Sequence, residues 1–387
     1  MQRFVFVRWA TMCVLFVTVQ HGFCNKQVSA QQSSRETSEP LRVAVITDRD
    51  GSHLSTYFSI IHKNSSISDV AVASPSQHTV EMAKQRFGER PFQHFTETEE
   101  MLTKFRPRFV VVSLASHLAP AQIRAALEAG CDVVAEKPGC TSVEDFRELV
   151  QLADEKQRNL MLALPLRFRA DTKRLKELID RGYVGKLYGI TGNLVDDQVR
   201  LTRPGWQRSW HGSRRLAGGG HLTWLGIHKI DQFLFLTQDR VRRVAGFYSN
   251  VGGQPIDIED TESVALDFHS GFTGTFQGGF YLGPGGSVEG LRIWGDTGWI
   301  EQEVDFGAKE IIFRLRWLST HPDAPEGVQT EELPRGESVY QQMFDQAIDA
   351  ARGAADPPLR NDESLHILEV IFGAYRAAET GKVQTLQ

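Results

Sequence analysis

The sequence predicts an α/β chain in two parts: a doubly wound parallel sheet, then an open-faced, mainly antiparallel sheet with flanking helices. Three observations carry this. Short apolar runs alternate with helical stripes over residues 41–164. Runs of period-2 or aromatic-rich character then dominate, with turn signals between them. Two amphipathic stripes close the chain.

Taken in order, RVAVIT (Arg42 to Thr47) is a short apolar run of the kind that forms a parallel strand covered on both faces. The turn DRDG follows, and Leu54, Tyr57, Phe58 and Ile61 then recur at helical spacing. DVAVAS (Asp69 to Ser74), FVVVSLA (Phe109 to Ala115), CDVVAE (Cys131 to Glu136) and NLMLALPL (Asn159 to Leu166) read as further strands. A helix over AQIRAALEAG, closed by Gly130, lies between two of them. Strands separated by helices call for right-handed crossovers and a parallel sheet. DTKRLKELIDRG reads as a helix, with Leu175, Leu178 and Ile179 on one face. The strands LYGITGNLV, VRRVAGFYS, ESVALDF, FTGTFQGGFYL, LRIWG and EIIFRLR follow, and Ser270-Gly271 marks a hairpin turn. The first closing helix carries Tyr340, Met343, Phe344, Ala347 and Ile348 on its stripe, and the second starts at an Asn361 cap and ends before Gly381.

The chain has 387 residues, 41% hydrophobic and 24% charged, which excludes a mainly disordered or collagen-like protein. A net charge of −5 argues against a nucleic-acid partner. Residues 1–30 read as a Sec-type export signal. Arg3 and Arg8 precede the apolar run Ala10 to Val19, and Val28-Ser29-Ala30 offers a cleavage site. Residues 31–40 form a polar linker, 41–164 the dinucleotide-binding-type domain and 165–387 the second domain. No membrane association is expected once the signal is removed. Cys131 and Cys140 flank a predicted strand and lie too far apart to pair, so both are expected as buried free thiols.

Two motifs carry chemistry. Glu136-Lys137-Pro138 ends a predicted parallel strand, and ligands bind beyond the carboxyl ends of such strands. Lys137 is therefore aimed at a site, where a neighbouring cation would lower its pKa and fit it for proton transfer. GGGHLTWLGIHKID (Gly218 to Asp231) opens with three glycines and continues at helical spacing. It puts His228 and Asp231 three residues apart, as a base and the acid that would orient it.

With their order and spacing, these segments resemble the Gfo/Idh/MocA oxidoreductases over residues 41–385. RF at Arg167-Phe168, KELIDRGYVGKLYGI and YRAAETGKVQTL add to the match. The resemblance implies hydride transfer between a sugar, sugar-acid or polyol carbon and C4 of a bound NAD(P), with no metal. It assigns Lys137 and His228 as catalytic. It puts Thr47, Arg49, Gly51, Ser74, Glu136 and Lys137 at the cofactor, and Arg167, Trp206, Trp210, Trp224 and Asp231 on the substrate side. Relatives commonly pair through the second sheet, which implies a homo-oligomer.

Three departures stand out. The G-x-G-x-x-G fingerprint is reduced to Gly51, with Asp48 and Asp50 where phosphate would lie. Ser74 replaces the acid that holds ribose hydroxyls, which favours NADP over NAD. Trp224 stands one helical turn before His228, where an acid is common in the family. Two other activities fit the same residues: a non-catalytic carbohydrate-binding relic, and glycosidic cleavage by transient oxidation. The Arg200, Arg203, Arg208, Arg214 and Arg215 cluster reads either as a solvated loop or as a site for acid groups on the substrate.

Overall fold

The computed structural model describes residues 40–307 and 311–386. The expected signal and most of the linker lie outside these residues. Six strands form the first sheet: β1 (Leu41–Thr47), β2 (Ile67–Ala73), β3 (Gln93–Phe95), β4 (Phe109–Ser113), β5 (Asp132–Ala135) and β6 (Leu160–Leu162). Their order is β3-β2-β1-β4-β5-β6 and every pairing is parallel. The crossovers are α1 (Leu54–Lys63), α2 (Gln77–Phe87), α3 (Thr98–Lys104), α4 (Ala119–Glu128) and α5 (Val143–Lys156). β1 and β4 are almost wholly buried because helices cover both faces, which is why they read as unbroken apolar runs. The strand order reverses between β1 and β4, and loops 48–53, 114–118 and 136–142 meet at that carboxyl edge.

After α6 (Ala170–Asp180) and β7 (Leu187–Asp197), the chain runs through a loop with short helical turns into α7 (Ile227–Thr237). A nine-stranded sheet follows. Its strands are β8 (Val241–Ser249), β9 (Thr261–Phe268), β10 (Thr273–Leu282), β11 (Ser287–Gly295), β12 (Gly298–Asp305), β13 (Ile312–Ser319), β14 (Gln329–Pro334) and β15 (Gln384–Thr385), joined by β7. Only the β7–β10 pairing is parallel. The Ser270-Gly271 turn closes the β9–β10 hairpin, with Gly271 at φ 91°. β9 alternates buried and exposed residues, the mark of a sheet covered on one face. Helices α8 (Val339–Ala351) and α9 (Asn361–Thr380) return to the first sheet.

Several local expectations are corrected. Arg360, not Asn361, holds the N-cap position of α9, and its N–H donates to the Glu363 carboxylate at 2.8 Å. Asn361 is used elsewhere: its Oδ1 accepts from the Leu160 N–H, tying α9 to β6. The helix begun at Leu222 opens as a π-helical turn over Leu222–Gly226. Its wider backbone presents Trp224 to the first domain. β6 ends at Leu162, and Pro165–Phe168 is a 3₁₀ turn rather than strand. Cys131 and Cys140 are free and buried, as expected.

Candidate active site

Lys137 follows β5 at the carboxyl edge, and its peptide bond to Pro138 is cis. It is 8% exposed. Its Nζ donates to the Trp224 carbonyl at 2.5 Å and lies 5.0 Å from the centre of the Trp224 ring. The amine therefore bridges the two domains. Burial pulls its pKa down to about 8, Glu136 opposes the fall and the charge of Arg200 adds to it.

His228 stands one turn beyond Trp224, buried, with no hydrogen-bond partner at either ring nitrogen among the described residues. Burial, reinforced by the charges of Lys137 and His53, holds it well below the usual histidine range, so it is neutral. Asp231 does not orient it, contrary to expectation. The Asp231 carboxylate accepts from Arg167 Nε at 2.8 Å, and both residues are buried. Arg167 also donates to the Pro358 carbonyl and Glu363. The guanidinium charge outcompetes the neutral imidazole, so Arg167 and Asp231 leave the substrate set and become an internal brace.

Trp206 and Trp210 do reach the site, together with a residue the motifs did not single out. The ring of His211 stacks on Trp210 at 4.1 Å and lies 4.7 Å from Trp224 and 5.7 Å from Trp206. The Nε1 atoms of Trp210 and Trp224 are buried without partners. Burial lowers the His211 pKa to about 4; Asp50 opposes this, and Lys137 and Arg200 reinforce it. The 200–215 loop thus brings Trp210 and His211 against Trp224. His211 was legible only as a neighbour of the two tryptophans.

On the other side, Glu136 is buried and accepts from Tyr57 Oη at 2.7 Å, with His53 Nδ1 at 2.8 Å. Tyr340 of α8 packs on His53 with ring centres 5.0 Å apart. Below the start of the π-helical turn, Glu259 accepts from the N–H groups of Gly220 and Leu222 and from Tyr375 Oη. Beside it, His221 Nδ1 meets Glu262 at 2.5 Å. No pattern in the sequence linked these acids to the glycine run, because they lie about forty residues downstream, Glu262 on β9 and Glu259 just before it.

The turn after β1 is self-contained. Asp48 Oδ1 accepts from the Asp50 N–H at 2.8 Å, and burial raises the Asp48 pKa. Thr47 donates to the Ser113 carbonyl at 2.8 Å. Its hydroxyl is spent inside the sheet. A Cβ on Gly51 would overlap Thr47 Oγ1 and come within 2.7 Å of the Ser113 carbonyl, so glycine is required there by the closeness of β1 and β4. Arg49 is exposed. Ser74 is buried after β2, and its hydroxyl accepts from the Ser76 N–H.

A nicotinamide dinucleotide can be tested against these groups. Ser116 Oγ, in the loop after β4, and Glu136 Oε2 are buried without partners at the carboxyl edge. Buried polar atoms left unpaired call for a ligand or water. With the Lys137 ammonium, they make a donor and acceptor set that fits the ribose–nicotinamide end. The N-terminus of α1 faces the same edge and suits a phosphate, but Asp48 and Asp50 add negative charge there. Among the described residues, no group of His, Cys, Asp and Glu is placed to hold a metal.

Fold and site define a dinucleotide-binding oxidoreductase of two domains. The model of the oxidoreductase family with an NAD-binding Rossmann fold matches residues 51–164, and that of the GFO/IDH/MocA C-terminal domain matches 172–301. The chain belongs to the Gfo/Idh/MocA oxidoreductases, a family of NAD(P)-binding sugar and polyol oxidoreductases. It is 28% identical over 255 residues to the D-glucoside 3-dehydrogenase of Escherichia coli, covering 62% of this chain and 70% of that one. It is 24% identical over 300 residues to the 1,5-anhydro-D-fructose reductase of Ensifer adhaerens, covering 76% and 84%. Among solved structures, the WlbA dehydrogenase of Chromobacterium violaceum, in complex with NADH and UDP-GlcNAcA, superposes with a TM-score of 0.76 at 23% identity, over 91% of this chain and 97% of that one.

Proposed function

We propose that this chain oxidises or reduces a hydroxyl-bearing carbon of a sugar, sugar acid or polyol, with NAD(P) as hydride partner. The observation that carries the proposal is the bridging amine: Lys137 joins the Rossmann edge to the Trp224 carbonyl, and its charge acts on a neutral, unpartnered His228. When bound, the nicotinamide supplies the hydride chemistry. The protein's part is to move a proton and hold the ring. His228, neutral and free at both nitrogens, accepts the proton of the reacting hydroxyl. Lys137, with a pKa near 8, donates a hydrogen bond to the same oxygen and stabilises the charge that develops on it. Trp206, Trp210 and Trp224 with His211 offer aromatic faces to the C–H surface of the sugar.

Further parts of this reading concern cofactor choice, assembly and location. No carboxylate follows β2, where Ser74 stands, so the preference is for NADP. Subunits associate through the outer face of the nine-stranded sheet, where Phe247 is 79% exposed beside Ala245 and Ala265. Residues 1–30 direct export. The test is to denature protein taken from its native compartment and identify the released nucleotide by mass spectrometry, then to assay sugars for NAD(P) reduction. A second reading, a carbohydrate-binding protein without redox turnover, is favoured by Asp48 and Asp50 in the turn after β1. Calorimetry showing sugar binding with no NADP binding would select it.

A further inference from the structure

We propose that Glu259 is a positioning residue of the reaction: a cap supplied from outside the helical run 221–237, it sets where Trp224 and His228 stand against Lys137. The inference deepens the redox reading, from which it takes the roles of Lys137 and His228.

The glycine run before this helix is a junction. A Cβ on Gly218 would lie 3.2 Å from the Cα of Thr141, in the loop that carries Lys137. One on Gly219 would overlap Tyr375 Oη of α9. One on Gly220 would come within 2.5 Å of the Glu259 carbonyl and 2.8 Å of its carboxylate. Each glycine makes room for a different neighbour.

The first N–H groups of a helix have no partner within it. His221, at the N-cap position, offers no side-chain cap, since its Nδ1 meets Glu262 at 2.5 Å. Glu259, two residues before β9, supplies the missing acceptors. Its Oε2 accepts from the Gly220 N–H at 2.8 Å and its Oε1 from the Leu222 N–H at 3.0 Å. Tyr375 Oη donates to Oε1 at 2.6 Å. Glu259 is buried, so these three donors stand in for water. Burial lifts its pKa to about 7 and Glu262 adds to the rise, while the Tyr375 and backbone donors oppose it.

From this cap the hydrogen bonds run without a break to the amine. Glu259 holds the Gly220 N–H. The Gly220 carbonyl accepts from the Trp224 N–H at 3.1 Å and from Thr223 Oγ1 at 3.0 Å. The Trp224 carbonyl accepts from Lys137 at 2.5 Å. His228 stands one turn further along the same run. A side chain at 259 that cannot accept leaves two buried N–H groups unpaired, and the start of the run shifts to find other partners.

The Lys137 pKa reads that shift without substrate or nucleotide. Burial holds the amine near 8, and a displaced Trp224 admits water and lets the value rise. Loss of the Glu259 charge by itself acts in the opposite direction, because a lysine deprived of an anion gives up its proton more readily. The sign of the change separates position from charge.

The test labels wild type, Glu259→Met and Glu259→Gln with acetic anhydride from about pH 7.5 upward, where Glu259 is ionised, and follows acetylation of Lys137 by mass spectrometry. Met keeps the side-chain size without an acceptor, and Gln keeps one acceptor of the two. Thermal melting reports whether each variant is folded. The apparent Lys137 pKa is expected to rise by about one pH unit in Glu259→Met and by less in Glu259→Gln. The proposal is overturned by a value unchanged or lower in folded Glu259→Met or, where that variant does not fold, in Glu259→Gln. The two readings fail separately. A raised Lys137 pKa with no nucleotide reduced by any sugar keeps Glu259 as the cap and removes the redox reading. Sugar-dependent NAD(P) reduction with the Lys137 pKa unmoved in the variants does the reverse.

Discussion

Lys137 and Lys229 are both buried, and they stand in opposite settings. Lys229 Nζ lies 2.7 Å from Glu289 and 2.9 Å from Gln232. Glu289 also receives Arg169, which pairs with Asp171. Burial alone would raise the Glu289 pKa, and the charges of Arg169 and Lys229 instead draw it down to about 2. Every charge in that network has its opposite, so it is closed. Lys137 has a carbonyl and an indole face for company. The contrast separates scaffold from site between adjacent residues: His228 is buried without a partner, and Lys229 is locked into the Glu289 network. A polar cluster that satisfies itself holds the fold, and one left open marks where a ligand completes it.

The contrast breaks most sharply by substitution. Lys137→Ala or His228→Ala should lower kcat/KM by on the order of 10²–10⁴-fold while far-UV circular dichroism and melting stay near wild type. Wild-type rate in either variant removes its role. Glu289→Ala should do the opposite, leaving Arg169 and Lys229 charged and buried. Urea unfolding should show a loss of about 3–5 kcal/mol, and an unchanged midpoint would mean the network is dispensable.

Acidity separates the two clusters next. The lowered Lys137 pKa means that the unfolded chain binds more protons between about pH 8 and 10.5, so this residue adds stability as pH rises through that window. Lys137→Met should flatten that slope. Glu289 works at the other end: its contribution is full above pH 4.5 and is lost as pH falls toward about 2. Chemical denaturation across pH reads both windows. In catalysis, kcat/KM for sugar oxidation should change with an apparent pKa near 8, and a profile flat from pH 7 to 9 would exclude Lys137 as the titrating group. The smallest effect is expected at the other end of the cleft. Asp48→Asn with Asp50→Asn keeps the acceptor for the Asp50 N–H and removes two charges. NADP affinity should rise on the order of tenfold, and no change would show that both carboxylates point away from the phosphates.

Much of the site was legible because local chemistry placed it. Glu136-Lys137-Pro138 ends a buried strand, and the carboxyl edge of a parallel sheet is where ligands lie, so Lys137 could be placed from its neighbours in sequence. The aromatic character of Trp206, Trp210 and Trp224 was equally plain. Arg167 and Asp231 went astray because spacing on one helix shows what shares a face, not which distant charge arrives there first. His211, His53 and Tyr340 were missed because each becomes significant only through a partner far along the chain.

The sequence alone determined the class of each half, through unbroken apolar runs in the first and alternation in the second, and it determined the edge on which Lys137 stands. These are local consequences of backbone period and of which faces are covered. Tertiary structure decided the pairings: which acid takes Arg167, and that the Trp224 carbonyl and ring meet Lys137. Electrostatics and burial act over distances through space that the order of residues does not record.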